Sequence, residues 1–242
     1  MKVRVMSWNI HRCIGVDRRF KPERIAQCIG HYSPDILCLQ EVDRGVPRSR
    51  NLYLDHYLAD QLDYGYHTWA QAHALTTGAY GNATLSRFPI IKRRAIDLTI
   101  ANKKKRNNLY TRIKIERRSL HLFNWHLGLS AKERSLQVQR LLRCNTHGDL
   151  PSSSRIILAG DTNDWRNLLY NSAGIADSNY HAWSEHGRRK PIRTFPSTQP
   201  IGALDKFFWK GKIDAEHIYP GHTKQTRVAS DHLPLVADFT LS

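Results

Sequence analysis

The chain has 242 residues, 40% hydrophobic and 24% charged, which suits a globular protein with a substantial core and excludes an intrinsically disordered one. Lys plus Arg number 37 against 21 for Asp plus Glu, a net charge of +16 with histidines neutral, and this excess favours a polyanionic partner such as nucleic acid or an anionic lipid surface. No apolar run approaches the roughly 20 residues of a membrane helix. Met1 to Met6 lack a signal-peptide core, and Cys13, Cys28, Cys38 and Cys144 form no CxxC pair, so a soluble cytoplasmic protein with reduced thiols is expected.

In chain order, Val3, Val5 and, after a register change, Trp8 and Ile10 predict a strand running into Asn9 and His11. Pro22 to His31 reads as a helix, with Pro22 in its first turn and Ile25 and Ile29 on its inner side; Pro34 ends it. A second buried strand, Asp35 to Gln40, leads to Glu41, and a polar loop, Asp43 to Arg50, precedes an amphipathic helix from Leu52 to Leu62. The pattern then turns to short strands at Tyr66 to Ala70, Gly81 to Ser86, Ile90 to Leu98, Leu109 to Ile115 and Leu120 to Trp125. Arg87-Phe88-Pro89, Asn102 to Asn108 and Arg117-Arg118 punctuate them as turns.

Ala131 to Thr146 is the longest helix candidate, on the outside of a sheet. Ile156 to Ala159 form a short buried strand that stops at Gly160 and delivers Asp161, Asn163 and Asp164 into a loop. Thr162, Asn163 or Asp164 could equally cap a short helix from Trp165 to Asn171. An arginine-rich link, Gly187 to Arg193, precedes closing strands at Leu204 to Trp209, Ala215 to Tyr219 and Leu233 to Phe239. No linker rich in Pro, Gly and Ser divides the chain, so one domain over residues 1–242 is expected.

Polar residues recur where apolar strands end: Asn9, Glu41, His126, Asp161 and Asp205, with Asp231-His232 just before the last strand. If those ends share an edge, they line one cleft, where α/β sheets bind ligands. Carboxylate and amide oxygens without clustered cysteines suit Mg2+, Mn2+ or Ca2+ rather than structural zinc.

The ordered set Trp8-Asn9-Ile10, Leu39-Gln40-Glu41, Gly81-Asn82-Ala83, Asn124-Trp125-His126-Leu127, Gly160-Asp161-Thr162-Asn163, Leu204-Asp205 and Ser230-Asp231-His232-Leu233-Pro234 resembles the endonuclease/exonuclease/phosphatase superfamily over essentially the whole chain. The resemblance implies an α/β (α+β) four-layer sandwich, two mixed sheets face to face with helices on both outer sides, and Mg2+- or Mn2+-dependent phosphoester hydrolysis. It implies Glu41 as principal metal ligand with Asn9 and Asp231 near the ion, and Asp161 and Asn163 orienting water and phosphate. It further implies His232 paired with Asp205, and His126 on the phosphate from the opposite side; Asp161 and His232 stay alternatives for the general base. His11 stands where abasic-site nucleases of the family carry an acidic residue, and Asn124-Trp125-His126 replaces their tyrosine motif, which argues against a DNA-repair role.

Arg44, Arg48, Arg50, Lys103 to Arg106 and Arg188 to Lys190 are candidates to flank the cleft, and Trp69, Tyr80, Trp165 and Trp183 to stack on bases. His11, Asn82, Arg44 and Lys104 are the expected substrate contacts, His11 being either a metal or phosphate neighbour or a strand-end residue. The expected substrate is an anionic phosphodiester, nucleic acid favoured, with a phospholipid head group or phosphorylated small molecule as an alternative and a weakly catalytic nucleic-acid-binding protein as another. No protein partner is expected.

Overall fold

The computed structural model describes residues 1–184 and 189–242, so Gly187 and Arg188 of the arginine-rich link lie outside the described residues. In chain order the strands are β1 (Lys2–Asn9), β2 (Ile36–Arg44), β3 (Tyr66–Ala74), β4 (Ala79–Ser86), β5 (Ile90–Asp97), β6 (Asn107–Ile115), β7 (Arg118–His126), β8 (Arg155–Asp161), β9 (His181–Ala182), β10 (Asp205–Lys210), β11 (Ile213–Pro220) and β12 (Leu235–Leu241). The helices are α1 (Pro22–Tyr32), α2 (Leu54–Gln61), α3 (Ala131–Arg143) and the short α4 (Asn145–Gly148), α5 (Leu169–Ser172) and α6 (Thr226–Ala229).

Two six-stranded sheets result, ordered β11-β12-β1-β2-β4-β3 and β5-β6-β7-β8-β10-β9. Each is mixed, because one parallel pair sits inside it: β1 with β2, joined through α1, and β7 with β8, joined through α3. A parallel pair needs such a crossover, and a helix supplies the length and covers the sheet's outer face. The same strand–helix–strand unit is thus used twice, without a repeat of residues.

The two faces of each strand explain the layers. Val3 and Val5 of β1, Ile36 and Cys38 of β2, Leu120 and Leu122 of β7, Ile157 and Ala159 of β8, and Phe207 and Trp209 of β10 meet in the core between the sheets. Met6, Trp8 and Ile10 point the other way, with Leu37 and Leu39, against Ile25, Ile29, Leu54 and Leu58 of α1 and α2. Ile156, Leu158 and Phe123 likewise meet Val138 and Leu141 of α3. Burial of both faces corrects the register change expected in β1: its pairing with β12 runs unbroken from Lys2 to Ser7, and the mixed periodicity is that of a strand with two apolar faces.

Other boundaries shift for local reasons. The helix expected from Ala131 to Thr146 ends at Arg143, because Cys144 is extended (ψ 146°), and α4 restarts beyond it. The helix expected at Trp165 shrinks to α5; Trp165 to Leu168 form a turn, held by Asp164, whose Oδ2 accepts from the Leu169 N–H at 2.9 Å.

Towards one end of the sandwich the space between the sheets turns polar. Gln40 Nε2 donates to Asn124 Oδ1 (2.9 Å) and Ser7 Oγ (3.3 Å), and Asn124 Nδ2 donates to the carbonyls of Ala83 (2.8 Å) and Leu39 (3.2 Å), tying one sheet to the other. Asn82 belongs to this seam: its Nδ2 donates to Asn107 Oδ1 at 3.0 Å. These residues stand one step along the strands from Asn9 and His126, so the interior grades from apolar to amide to charged.

Candidate active site

Strand register assembles the core of the site. His126 at the end of β7 pairs with Asp161 at the end of β8, and Asp161 pairs with Asp205 at the start of β10, so the three form one row across the sheet. All three continue the face that carries the inter-sheet core, as does Asn9 at the end of β1. Gly160 makes the close approach of β7 and β8 feasible: a Cβ there would lie 2.0 Å from the Trp125 carbonyl oxygen, and its φ of +136° suits no side chain.

His232 enters from the loop before β12 and is fixed through its backbone, with its carbonyl accepting from Trp8 Nε1 (2.8 Å). Its Nδ1 lies 2.8 Å from Asp205 Oδ2, which also accepts from Thr194 Oγ1 at 2.6 Å. The far nitrogen, Nε2, faces Asp161 Oδ2 at 3.6 Å, and His126 Nε2 faces the same oxygen at 3.4 Å. Asn9 Nδ2 donates to that oxygen at 3.2 Å, while Asp161 Oδ1 accepts from the Asn163 N–H at 2.9 Å. Asn163, with φ +51°, is anchored by its Nδ2 on the Leu127 carbonyl at 2.9 Å.

The two histidines are driven to opposite charge states. For His232 burial favours the neutral ring, yet Asp205 and Asp161 outweigh it and raise its pKa to about 10, so it is an imidazolium at neutral pH. His126 is held well below its ordinary value, first by burial and then by the positive charges of Arg106, His232, Lys104 and Arg12, so it is neutral. Burial pushes the Asp161 carboxyl up, opposed by His232 and reinforced by Asp205, with a net upward direction. A buried carboxyl of raised pKa between a charged and a neutral imidazole is suited to taking up a proton.

Around this row opens a cleft of about 1210 Å³, counting its mouth, lined also by Asn9, Glu41, Asp231 and the basic Lys103, Lys104 and Arg106. Glu41 sits where pairing between β2 and β4 skips from Leu39 to Val42, and its φ is +55°, a bulge that turns its carboxylate into the cleft. Asn9, Glu41, Asp161 and Asp231 give this wall a set of hard oxygen donors, which fits a divalent cation of the Mg2+ or Mn2+ kind.

Of the expected contacts, Lys104 lines the cleft and three do not. Arg44 is turned away: it forks onto Asp55 and lies 4.6 Å from the Trp69 ring. Asn82 serves the inter-sheet seam, and His11 donates its N–H to Asn9 Oδ1 (3.1 Å) while its Nδ1 meets the Ile14 carbonyl (2.9 Å). Among the stacking candidates Trp165 is half exposed at the mouth, Tyr80 is buried, and Trp69 donates its Nε1 to the Val42 carbonyl. Asp164 is the cap residue and pairs with Arg134 and Lys206, both at 3.6 Å; the Thr162 hydroxyl donates to the Leu204 carbonyl at 2.7 Å instead of capping.

Three residues that line the cleft or hold its carboxylates escaped the sequence reading. Arg12 lies with its Nε 3.2 Å from Glu41 Oε2. Glu133 lines the cleft wall, folded over Gly128; its position three after Ser130, a capping-box spacing, is a signal for a helix start and not for a site. Thr194, which holds Asp205, carries no motif at all.

Comparison with known proteins places these features in a group. A model of the Endonuclease/Exonuclease/phosphatase family matches residues 6–232. An uncharacterised protein of Escherichia coli (strain K12), YbhP, is 33% identical over 256 aligned residues, covering 98% of this chain and 96% of its own. An endonuclease/exonuclease/phosphatase structure from Beutenbergia cavernae superposes with a TM-score of 0.80 at 20% identity, over 100% of this chain and 72% of that one. TDP2 of D. rerio, complexed with a single-strand DNA product, superposes at 0.70 with 19% identity over 99% of both chains.

Proposed function

The chain belongs to the endonuclease/exonuclease/phosphatase family, whose members are metal-dependent phosphoesterases, and from that premise we propose that it is a Mg2+- or Mn2+-dependent phosphodiester hydrolase that cleaves nucleic acid. The observation that carries the chemistry is Asp161 placed between the imidazolium of His232 and the neutral ring of His126.

Glu41, with Asn9 and Asp231 beside it, is the group that would hold the cation, which when bound neutralises phosphate oxygens and polarises the phosphorus. The residues do the rest. Asp161 takes a proton from the attacking water through Oδ2 as the new P–O bond forms and the bond to the leaving oxygen breaks. Asn163 holds that carboxylate through its N–H. His232, kept in one orientation by Asp205, offers Nε2–H and a positive charge to the anionic phosphate, and His126 offers a neutral hydrogen-bonding ring from the other side.

The nucleic-acid reading rests on the net charge of +16, on Lys103, Lys104 and Arg106 along the cleft, and on Trp165 exposed at its mouth. The likeness to TDP2 with its single-strand DNA product agrees with it. A phospholipid head group is the second reading, favoured by Leu129, which is 75% exposed on the same rim. A panel of single- and double-stranded DNA, RNA, anionic phospholipid vesicles and inositol phosphates, each with Mg2+, Mn2+ or EDTA, separates them. Cleavage of nucleic acid that stops in EDTA is expected. Turnover of lipid alone would replace the substrate, and full activity in EDTA would remove the mechanism.

A further inference from the structure

Directly after β1 the backbone does something costly. His11, Arg12 and Cys13 all have left-handed angles, with φ of 43°, 59° and 60°, though none is glycine. The turn is closed by Cys13 N–H to the Ile10 carbonyl (2.8 Å) and Ile14 N–H to that of His11 (2.9 Å), and pinned by the buried Cys13 side chain. Its product is one placement: Arg12 doubles back over the end of β2 with its Nε 3.2 Å from Glu41 Oε2.

That pair is looser than three of the other arginine–carboxylate pairs and, like Arg134–Asp164 and Arg118–Glu116, is a single contact. Arg44 on Asp55, Arg48 on Asp43 and Arg24 on Asp17 are all two-pronged; the Arg48 bonds measure 2.9 and 2.8 Å and the Arg24 bonds 2.8 and 3.0 Å. Arg12 makes a single contact, and its Nε, though buried, has no hydrogen bond of good geometry. Fork geometry is what makes such pairs strong, so Arg12 holds Glu41 by charge alone. Glu41 itself is the carboxylate that lies on the cleft wall among Asn9, Asp161 and Asp231.

We propose that Arg12 is a placeholder cation: its guanidinium neutralises Glu41 in the metal-free protein and is displaced from the carboxylate when a divalent cation enters. The proposal rests on the reading of Glu41 as metal ligand. It gives the strained turn a purpose, since a loose ion pair shields a cleft carboxylate without a lasting grip. It also sets a sign: Arg12 opposes metal binding by occupying and repelling, whereas a residue that merely oriented Glu41 would promote it.

The test is Mn2+ binding to the whole protein without substrate, read by electron paramagnetic resonance of the free ion, with thermal midpoints measured alongside. Arg12→Gln is expected to bind Mn2+ about tenfold more tightly than the wild type. Arg12→Lys, which keeps the charge, is expected to stay near the wild type, and added Mn2+ to raise the Tm of Arg12→Gln more than that of the wild type. Unchanged or weaker binding in Arg12→Gln overturns the proposal, as does equal tightening in Arg12→Lys. Should Arg12→Gln not fold, Arg12→Met carries the same expectation. Glu41→Gln separates the two levels: if it keeps wild-type affinity, the assignment of Glu41 as ligand fails; if it loses binding while Arg12→Gln shows no gain, only the placeholder fails.

Discussion

Two clusters in this molecule use the same residue types. Asp161, Asp205 and His232 bring their ligand atoms within 4.8 Å of one another, and so do Asp55, His56 and His67 at the start of α2 and in β3. Their surroundings differ in what neutralises the carboxylate. Asp55 is fully buried and both its oxygens accept from Arg44, which is itself flanked by the rings of Trp69 (4.6 Å) and Tyr53 (5.6 Å). The imidazoles of His56 and His67 stand off at 3.9 and 3.8 Å, and burial lowers the pKa of His67. In the cleft the ion-pair partners of Asp161 and Asp205 among the described residues are imidazoles, and the cation is His232. A carboxylate held on both oxygens by permanent cations is structural; one beside a cation that can lose its proton is reactive.

The largest test of that contrast is catalytic. His232→Ala or Glu41→Ala is expected to lower kcat/KM about 10³-fold per folded molecule on a simple phosphodiester. His56→Ala and His67→Ala should stay within about twofold, and an equal loss in them would dissolve the distinction. The Asp55 cluster should instead fail in stability. Arg44→Ala strands a buried carboxylate and is expected to cost about 3 kcal/mol in urea denaturation, with Asp55→Asn in the same background restoring part of it and activity per folded molecule unchanged.

Imidazoles with no carboxylate at all sharpen the rule. His147, between the Leu142 carbonyl and Tyr180 Oη, and His121, on Tyr110 Oη, are both pushed down to about 4, by burial first. The unfolded chain, with histidine near 6.5, then binds protons that the folded one refuses, so stability falls as pH drops from about 6.5 towards 4 and levels off below. Thermal midpoints across that range should show the decline, and His147→Gln should flatten it. His232 has the opposite sign: its pKa of about 10 gives stability that is full below about 6.5 and is lost as pH rises through about 10.

The smallest expected effect lies within the same loop as Asp161. Asp164 is held by Arg134 and Lys206, two standing cations, so by the same rule it is structural although three residues from Asp161. Asp164→Asn should cost about 1 kcal/mol and leave kcat/KM within a few-fold. A loss as large as that of Asp161→Asn in the same assay would break the rule.

Much of this was legible in the chain. Strands betrayed themselves by apolar runs, and the polar residues that end them, from Asn9 to His232, proved to be neighbours because register carries a strand-end pattern directly into space. What resisted reading has a common cause, a backbone turn without a residue that signals it. Glu41 and Arg12 sit at positive φ with no glycine or asparagine to announce it. Arg44 belongs to a polar run that reads as a loop, yet the strand continues past the bulge at Glu41 as far as Arg44, whose side chain faces Asp55 and not the cleft. Aromatic content likewise cannot tell Trp165, at the mouth, from Tyr80, in the interior, because that depends on which face of a strand or turn the residue takes.

The docking of β12 beside β1 has a bearing on when the site is complete. Asn9 and His232 stand near opposite ends of the chain, and they meet because the Asn9 carbonyl accepts from Ser230 Oγ and the His232 carbonyl from Trp8 Nε1, both next to the β1–β12 ladder. That ladder pairs residues more than 200 positions apart, among the last contacts a growing chain can make. Without β12 in place the group of Glu41, His126 and Asp161 therefore lacks the imidazolium that faces Asp161.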